Sequence, residues 1–415
     1  MTTFCALQIL QKRRSQACKA QFQCRISLAN ARNFGVEISS KWTEGLRVAL
    51  QGVEGDEGRI SPVGDTKPGQ LPLVYFLPPR RDLPDSGPGD SLSAHKFMEQ
   101  TEALGLRNDG PHFAPRLRAA CKNRKGFEDT LFELMGEEIR IRVEGTEIVT
   151  RAMMTQHRPS GLGSGPRSLV QLAIAFFDTP DGTIVVIDEP ELSLHPALQK
   201  RLLQFLVERS STSQIIYATH SPHLISWTAI LNGGVLARVF RTADAGCIIR
   251  QPARETIQQL EGLLQNVNNP HILDVVAREV FFLPDQVILV EGQEDVHCYR
   301  KIEQDLQLPL GGEFFGWGIG GAGNMVKICN LLKELGYLKV AAILDKNMES
   351  GLVGFREEFK DFHFLCIPAD NVRDKKDKKA SKPVRGLCDT DGNIHKESRH
   401  DVRRIFKEIN NYLSG

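Results

Sequence analysis

The stretch that most limits what this chain can fold into is residues 184–196, Ile-Val-Val-Ile-Asp-Glu-Pro-Glu-Leu-Ser-Leu-His-Pro. Four β-prone apolar residues, Ile184 to Ile187, run directly into Asp188 and Glu189. A short, wholly apolar run predicts a strand buried on both faces, the usual state in a parallel sheet. Ligands of such sheets bind outside the carboxyl ends of the strands, and both acids fall there. Asp188 is then positioned to order a Mg²⁺ ion, and Glu189 to polarise a water against a γ-phosphate. Pro190 stops the strand. Leu194-His195-Pro196 leads into a helix with Leu198, Leu202, Phe205 and Leu206 on one face. A second strand, Gln214 to Thr219, ends at His220.

Upstream, Gly161 to Ser168 is a Gly/Ser turn followed by Leu169, Leu172, Ala173 and Phe176 at helical spacing. A turn of this kind opening a helix is an anion site, because free amides and the helix dipole point at the ligand. The plain alternative is a loop with an ordinary helix cap. Residues 138–151 alternate apolar and charged around Gly145 and predict a half-exposed hairpin. Residues 112–136 and 255–279 predict helices, residues 232–250 further strands, and residues 52–72 and 81–94 loops.

The pattern of apolar strand and terminal acid recurs. Val287 to Val290 ends in Glu291-Gly292, with Asp295 in the first turn of the next helix. Gly316 to Asn324 is a glycine-rich turn before a helix with Met325, Ile328, Leu332 and Leu335 on one face. Val340 to Leu344 then ends in Asp345-Lys346-Asn347, and a strand over 362–367 precedes Asp370 and Asp374. A strand-end Glu and a strand-end Asp of one sheet can share a Mg²⁺ ion, since hard cations take carboxylate oxygens. The alternative is a generic βαβ unit with acids at its strand ends. Residues 370–385 hold seven basic and three acidic residues. Within them Lys375, Lys376, Lys378 and Lys379 are placed to neutralise nucleic-acid phosphates, or equally to form a solvated loop.

Together these segments resemble known families. Residues 184–196 with Thr219-His220-Ser221-Pro222 resemble the Walker B, D-loop and switch-histidine segments of ABC-type ATPases, and Gly161–Ser168 resembles their signature motif. Residues 281–347 resemble a TOPRIM domain. The order, and Phe-Phe-x-x-Asp-x-Val-Ile-Leu-Val-Glu-Gly in particular, is similar to the OLD (overcoming lysogenization defect) family of ATP-dependent endonucleases, from about Leu73 to near the end. The resemblance implies an α/β chain: an ABC/AAA-type ATPase domain over 1–250, a connecting helix over 251–280, and a smaller doubly wound TOPRIM domain over 281–415. It also implies an ATP-gated, Mg²⁺-dependent DNA endonuclease, working as a dimer or larger assembly in defence against phage.

In that reading Ser164, Gly165, Asp188 and Ser193 meet nucleotide, Asp188 holds its Mg²⁺, and Glu189 and His220 act in ATP hydrolysis. Glu291 and Asp345 are catalytic in the second site, where Glu291, Asp295, Asp345 and Asn347 hold Mg²⁺ or Mn²⁺. The family has Asp-x-Asp where this chain has Asp345-Lys346-Asn347, and an amide brings no charge to a second metal. The family also places a Gly-Lys-Ser/Thr phosphate loop before the segment matching 73–80, and no such loop occurs in the 415 residues. Either the chain starts late or the loop is lost. The alternative is therefore a regulatory subunit that lends its signature turn to a P-loop-bearing partner and binds nucleic acid without cutting.

Composition narrows the remaining classes. With 415 residues, 41% hydrophobic and 25% charged, the chain is long enough for two or three soluble domains. No apolar run reaches the ~18 residues of a membrane helix. A net charge of +1 leaves partner choice to local patches. Nine cysteines without a C-x-x-C pair fit a reducing cytoplasm. Residues 1–36 carry six basic residues and no acid, which reads as a solvated basic helix, a transit peptide or the remainder of a shortened domain.

Overall fold

In the computed structural model, the described residues are 5–10, 23–27, 33–41, 45–51, 74–77, 106–108, 117, 120–122, 124–136, 139–144, 147–152, 155–158, 161, 163–177, 181–242, 246–265, 271–282, 285–375 and 384–415. The loops expected over 52–72 and 81–94 lie outside them, as do Lys376, Lys378 and Lys379.

The strands are β1 (Cys5–Leu10), β2 (Gln23–Ser27), β3 (Asn33–Lys41), β4 (Gly45–Gln51), β5 (Val74–Leu77), β6 (Leu106–Asn108), β7 (Ile139–Glu144), β8 (Glu147–Ala152), β9 (Thr155–His157), β10 (Ile184–Asp188), β11 (Gln214–Thr219), β12 (Val235–Thr242), β13 (Gly246–Arg250), β14 (Gln286–Val290), β15 (Glu313–Phe314), β16 (Lys339–Leu344) and β17 (His363–Cys366). The longer helices are α1 (Arg124–Met135), α2 (Ser164–Phe177), α3 (Pro196–Arg209), α4 (Gln293–Leu306), α5 (Met325–Glu334) and α6 (Arg399–Ser414).

Seven strands form the first sheet, in the order β13-β12-β1-β11-β10-β5-β6. Strand β10 is parallel to both β11 and β5, with Asp188 opposite Ala218. This parallel half is where the apolar run of 184–187 is buried. One face is covered by α1, α2 and α3, through Phe127, Leu131, Leu172, Phe176, Leu202 and Phe205. The Phe176 and Phe205 rings meet edge-to-face with centroids 5.2 Å apart, a favourable aromatic geometry. Strand β1 lies antiparallel between β11 and β12. This corrects the reading of the N-terminus as a solvated basic helix. The run before Lys12 supplies a backbone ladder on both of its edges, and the basic residues begin only after it. Strands β2, β3 and β4 form a separate antiparallel sheet, and β7 and β8 form the expected hairpin, joined by β9.

The second large sheet is wholly parallel, in the order β15-β14-β16-β17. Its two faces explain why 287–290 and 340–344 are apolar at every position. Val287, Leu289, Val340 and Ala342 pack on Trp227, Leu236, Leu260 and Phe281, so one core is continuous with the residues after the first sheet's parallel half. Ile288, Val290, Ala341 and Ile343 pack on Val296, Tyr299 and Ile302 of α4 and on Ile405, Phe406 and Ile409 of α6. The helix expected over 255–279 is instead three short ones, Arg254–Gln259, Glu261–Leu264 and Val275–Glu279. Between the last two stands the Asn-rich run ending in Pro270, a residue that cannot sit inside a helix.

Arg238 of β12 ties the two sheets. It is 1% exposed, lies over the Tyr337 ring at 3.9 Å and the Phe240 ring at 4.7 Å, and pairs with Asp285 Oδ1 at 2.6 Å. A buried guanidinium is tolerable only with such partners. No described helix is long and apolar enough to cross a membrane.

Candidate functional sites

At the carboxyl end of β10 the chain turns sharply. Glu189 has φ +44° and Ser193 φ +65°, both in the left-handed region that non-glycine residues adopt at a cost of ~1–2 kcal/mol. Such strain persists only where the surroundings hold it. The holding contacts are backbone ones: Glu189 N donates to Ala218 O at 2.9 Å, Leu192 N to Glu189 O at 3.1 Å, and Leu194 N to Glu191 O at 2.8 Å. His195 then caps α3, its Nδ1 accepting from Ala197 N at 3.3 Å, and Pro196 occupies the first turn, where no amide partner is needed.

The turn faces two other segments. His220, at the end of β11, has Nε2 3.9 Å from Glu189 Oε1, with both side chains well exposed. His220 N donates to Glu191 Oε1 at 2.5 Å. The next residue, Ser221, donates from Oγ to Gln199 Oε1 at 2.5 Å, fastening the strand end to α3. On the other side, α2 begins at Ser164, which is exposed, while Gly165 is buried against the turn. A Cβ at 165 would stand 2.7 Å from Ser193 O, so only glycine fits. Asp188, Glu189, Ser193, His220, Ser164 and Gly165 therefore border one region. Glu191 and Gln199 were missed in the sequence. Their spacing gives no sign of partners 29 and 22 residues away.

The second site lies at the carboxyl ends of β14 and β16, which are neighbours. Asp345 N donates to Glu291 Oε1 at 3.1 Å. Asp295 Oδ2 accepts from Gly292 N at 2.8 Å and so caps the start of α4. The glycine-rich turn 316–321 closes behind them: Gly321 N donates to Glu291 O at 2.7 Å, and a Cβ at Gly318 (φ +89°) would meet the Gly292 backbone at 2.7 Å. Burial, reinforced by Asp295 and Glu291, pushes Asp345 up to about 7. Burial likewise pushes Asp295 up to about 6, opposed by its bond from Gly292 N and reinforced by Glu291. Lys375 lowers both and is the nearest cation acting on the pair.

Asn347 is exposed, in the 3₁₀ turn Lys346–Gly351 that follows Asp345. Asp374 is occupied: it accepts from Gly386 N at 2.7 Å and pairs with His395 Nε2 at 3.1 Å. Crowded, buried oxygen ligands that resist ionisation suit a hard cation, which restores the balance of charge. Yet no three His, Cys, Asp or Glu side chains among the described residues are gathered as a ready metal cluster. The fit is thus to one ion on Glu291 and Asp345, with Asp295 engaged as a cap beside them.

Residues 147–226 match the family model described as AAA domain, putative AbiEii toxin, Type IV TA system. The chain is 25% identical to the Old nuclease of Escherichia phage P2 over 231 residues, 51% of this chain and 37% of that protein. It is 24% identical to Endonuclease GajA of Bacillus cereus (strain VD045) over 241 residues, 54% of this chain and 38% of that one. A 131-residue stretch is 31% identical to the OLD nuclease of Thermus scotoductus (strain ATCC 700910 / SA-01), covering 29% of this chain and 23% of that protein. The chain thus spans less than two-fifths of the length of these curated relatives. Among solved structures it is similar to the SMC head domain from Thermotoga maritima, at 18% identity over 54% of this chain and 71% of that one, with a TM-score of 0.28. By its sequence matches and its mixed α/β architecture with parallel sheets, the chain is placed in the OLD family, as a protein with an AAA-type ATPase segment.

Proposed function

We propose that the chain is the ATPase and nuclease core of an OLD-type DNA endonuclease, gated by ATP and dependent on Mg²⁺, and acting in anti-phage defence. The observation that carries the reading is the Glu291–Asp345 pair on adjacent parallel strands, in the same chain as the Asp188-Glu189 turn that faces His220. At the first site, Asp188 holds the Mg²⁺ of a bound nucleotide, Glu189 orients water, and His220 sits where it can sense the γ-phosphate. Ser164 and Gly165 present the amino end of α2 to the nucleotide of a second subunit, so the working form is a homo-oligomer or an assembly with a P-loop-bearing ATPase. At the second site, Glu291 and Asp345 form an oxygen-only ligand pair of the TOPRIM type. A Mg²⁺ or Mn²⁺ ion bound there supplies charge to the oxygens of a phosphodiester. Lys375 neutralises a DNA phosphate, with Lys376, Lys378 and Lys379 adjoining it in sequence. The domain limits 1–250, 251–280 and 281–415 and a cytoplasmic location belong to the same reading.

A second reading, a regulatory subunit that binds nucleic acid without cutting, is favoured by Asn347 and by the missing Gly-Lys-Ser/Thr loop. Titration calorimetry with Mg²⁺ and Mn²⁺, run beside plasmid nicking, separates the two. Metal binding and nicking that are both lost in Asp345→Ala support the nuclease. Metal and DNA binding without any nicking favour the regulatory subunit. Unchanged metal binding in Asp345→Ala removes the site assignment.

A further inference from the structure

Beside the carboxylate site two cysteines meet. Cys298 is on α4, one turn after Asp295, and Cys388 is in the segment that folds back after the basic run. They are 1% and 0% exposed, belong to one apolar core and are joined by a thiol–thiol hydrogen bond. The backbone of Cys388 is fixed on two sides. Its amide donates to Val372 O at 3.0 Å, its carbonyl accepts from Asp374 N at 2.8 Å, and it bridges to Arg373 and to Ile394. Over the pair lies the turn 389–393, where a Cβ at Gly392 would be 4.0 Å from Cys298 Sγ. The residues flanking Gly392, Asp391 and Asn393, are exposed, so this turn is a thin cover.

We propose that Cys298 and Cys388 are a redox-active dithiol, closed by a peroxide into a disulfide that locks the 372–375 segment onto α4. The inference is independent of the nuclease reading. Cys298 is the attacking sulfur. Its thiol is held below the ordinary cysteine value by the hydrogen bond from Cys388 and by the Arg373 guanidinium, against the opposing effect of burial. Its thiolate attacks one peroxide oxygen. The O–O bond breaks, an S–O bond forms, and the departing oxygen takes a proton and leaves as water. The Cys388 sulfur then displaces the sulfenic hydroxyl, which leaves as a second water with the remaining thiol proton. The two sulfurs lose two electrons and the peroxide gains them. The bond joins the helix that carries Asp295 to the strand segment that carries Lys375, the cation acting on Asp295 and Asp345.

The other described cysteines set the contrast. Cys121 and Cys366 are more exposed, but burial pushes their thiols up, Cys366 to about 11, and Cys329 is buried. Thiolate fraction and access together set peroxide reactivity, so the expected order of oxidation is set by the 298–388 pair and not by exposure.

The test treats the full 415-residue chain with a small molar excess of hydrogen peroxide, blocks remaining thiols with iodoacetamide, and maps peptides without reduction. The expected result is a peptide joining Cys298 to Cys388, short of two hydrogens and released by dithiothreitol, and a higher Tm for the oxidised protein. In Cys388→Ser the expected product is a dimedone adduct at Cys298, several-fold above wild type. Alkylated Cys298 and Cys388 in wild type, when Cys121 or Cys366 is already oxidised, would overturn the proposal. So would equal dimedone labelling of Cys298 in wild type and Cys388→Ser. The wild-type mapping decides the matter if the variant fails to fold.

Discussion

The backbone amide of His220 donates to Oε1 of Glu191 across 2.5 Å, joining the turn after β10 to the end of β11. The other oxygen of Glu191, Oε2, is buried with no partner among the described residues. Glu191 is therefore a positioning residue for His220, and through it for the contact with Glu189. Glu191→Ala is expected to lose ~1–2 kcal/mol of stability, the range for a hydrogen bond to a charged acceptor in a partly buried site. Glu191→Gln, which keeps an acceptor oxygen, is expected to lose less than half of that. Urea unfolding of both variants checks the order, and equal losses would argue against the assigned contact.

The 415-residue chain by itself is expected to hydrolyse ATP slowly or not at all. Its acids Asp188 and Glu189 can order metal and water, but no Gly-Lys-Ser/Thr loop in the sequence cradles the phosphates. A phosphate-release assay on the purified chain is the check. Rapid turnover that disappears in Glu189→Gln would show that the phosphates are held by other residues.

Ser164 and Gly165 are adjacent but differ in what they tolerate. Ser164 is exposed, so Ser164→Arg is expected to leave Tm unchanged and to weaken nucleotide-dependent association with a P-loop-bearing subunit. Gly165 lies against Ser193 O, and Gly165→Val is expected to lower stability by ~1–3 kcal/mol through overpacking. Thermal unfolding distinguishes them, and light scattering with the partner subunit reads the association.

At the second site Asn347 is the informative position. It follows Asp345 by two residues and is exposed, so a carboxylate can be introduced without disturbing the core. Weak DNA nicking is expected, better in Mn²⁺ than in Mg²⁺ because the same ligands hold Mn²⁺ more tightly. Asn347→Asp is expected to raise nicking at least several-fold, and Asp345→Ala to abolish it. Lower nicking in Asn347→Asp would count against this site.

Asp345 and Asp295 set a pH dependence on metal-free stability. Burial raises their folded values to about 7 and about 6, above the ordinary aspartate value of ~3.9 that applies when unfolded. Between these limits the folded state holds more protons than the unfolded one. Their contribution is therefore fully present at low pH and is lost as pH rises from about 4 through about 7. Asp345→Asn removes the charge, and in a chelator at pH 8 its Tm is expected to exceed wild type by roughly 2–4 °C, the effect of ~1 kcal/mol in a domain of this size. At pH 4 the two are expected to coincide. A variant that is less stable at both values would show that Asp345 is stabilising when charged.

What the sequence by itself determined is the pair of strand-and-acid units. Buried parallel strands are apolar at every position, so 184–187 and 287–290 are legible as runs, and the acids that end them are fixed by covalent sequence to the strand ends. The hairpin over 139–152 is legible for the same local reason, alternation about a turn. The pattern could not show that Cys5–Leu10 slots between β11 and β12, because a strand's neighbours are chosen by backbone hydrogen bonds to residues 200 or more positions away. Nor could it show Glu191 holding His220, Arg238 clamped between Phe240 and Tyr337, or Cys298 meeting Cys388. Those are through-space relations, and so are the raised acids, whose shifts come from burial and from charges on other strands. Only the tertiary structure brings those groups together, because hydrogen bonds and low-dielectric electrostatics act over a few ångströms of space whatever the distance along the chain.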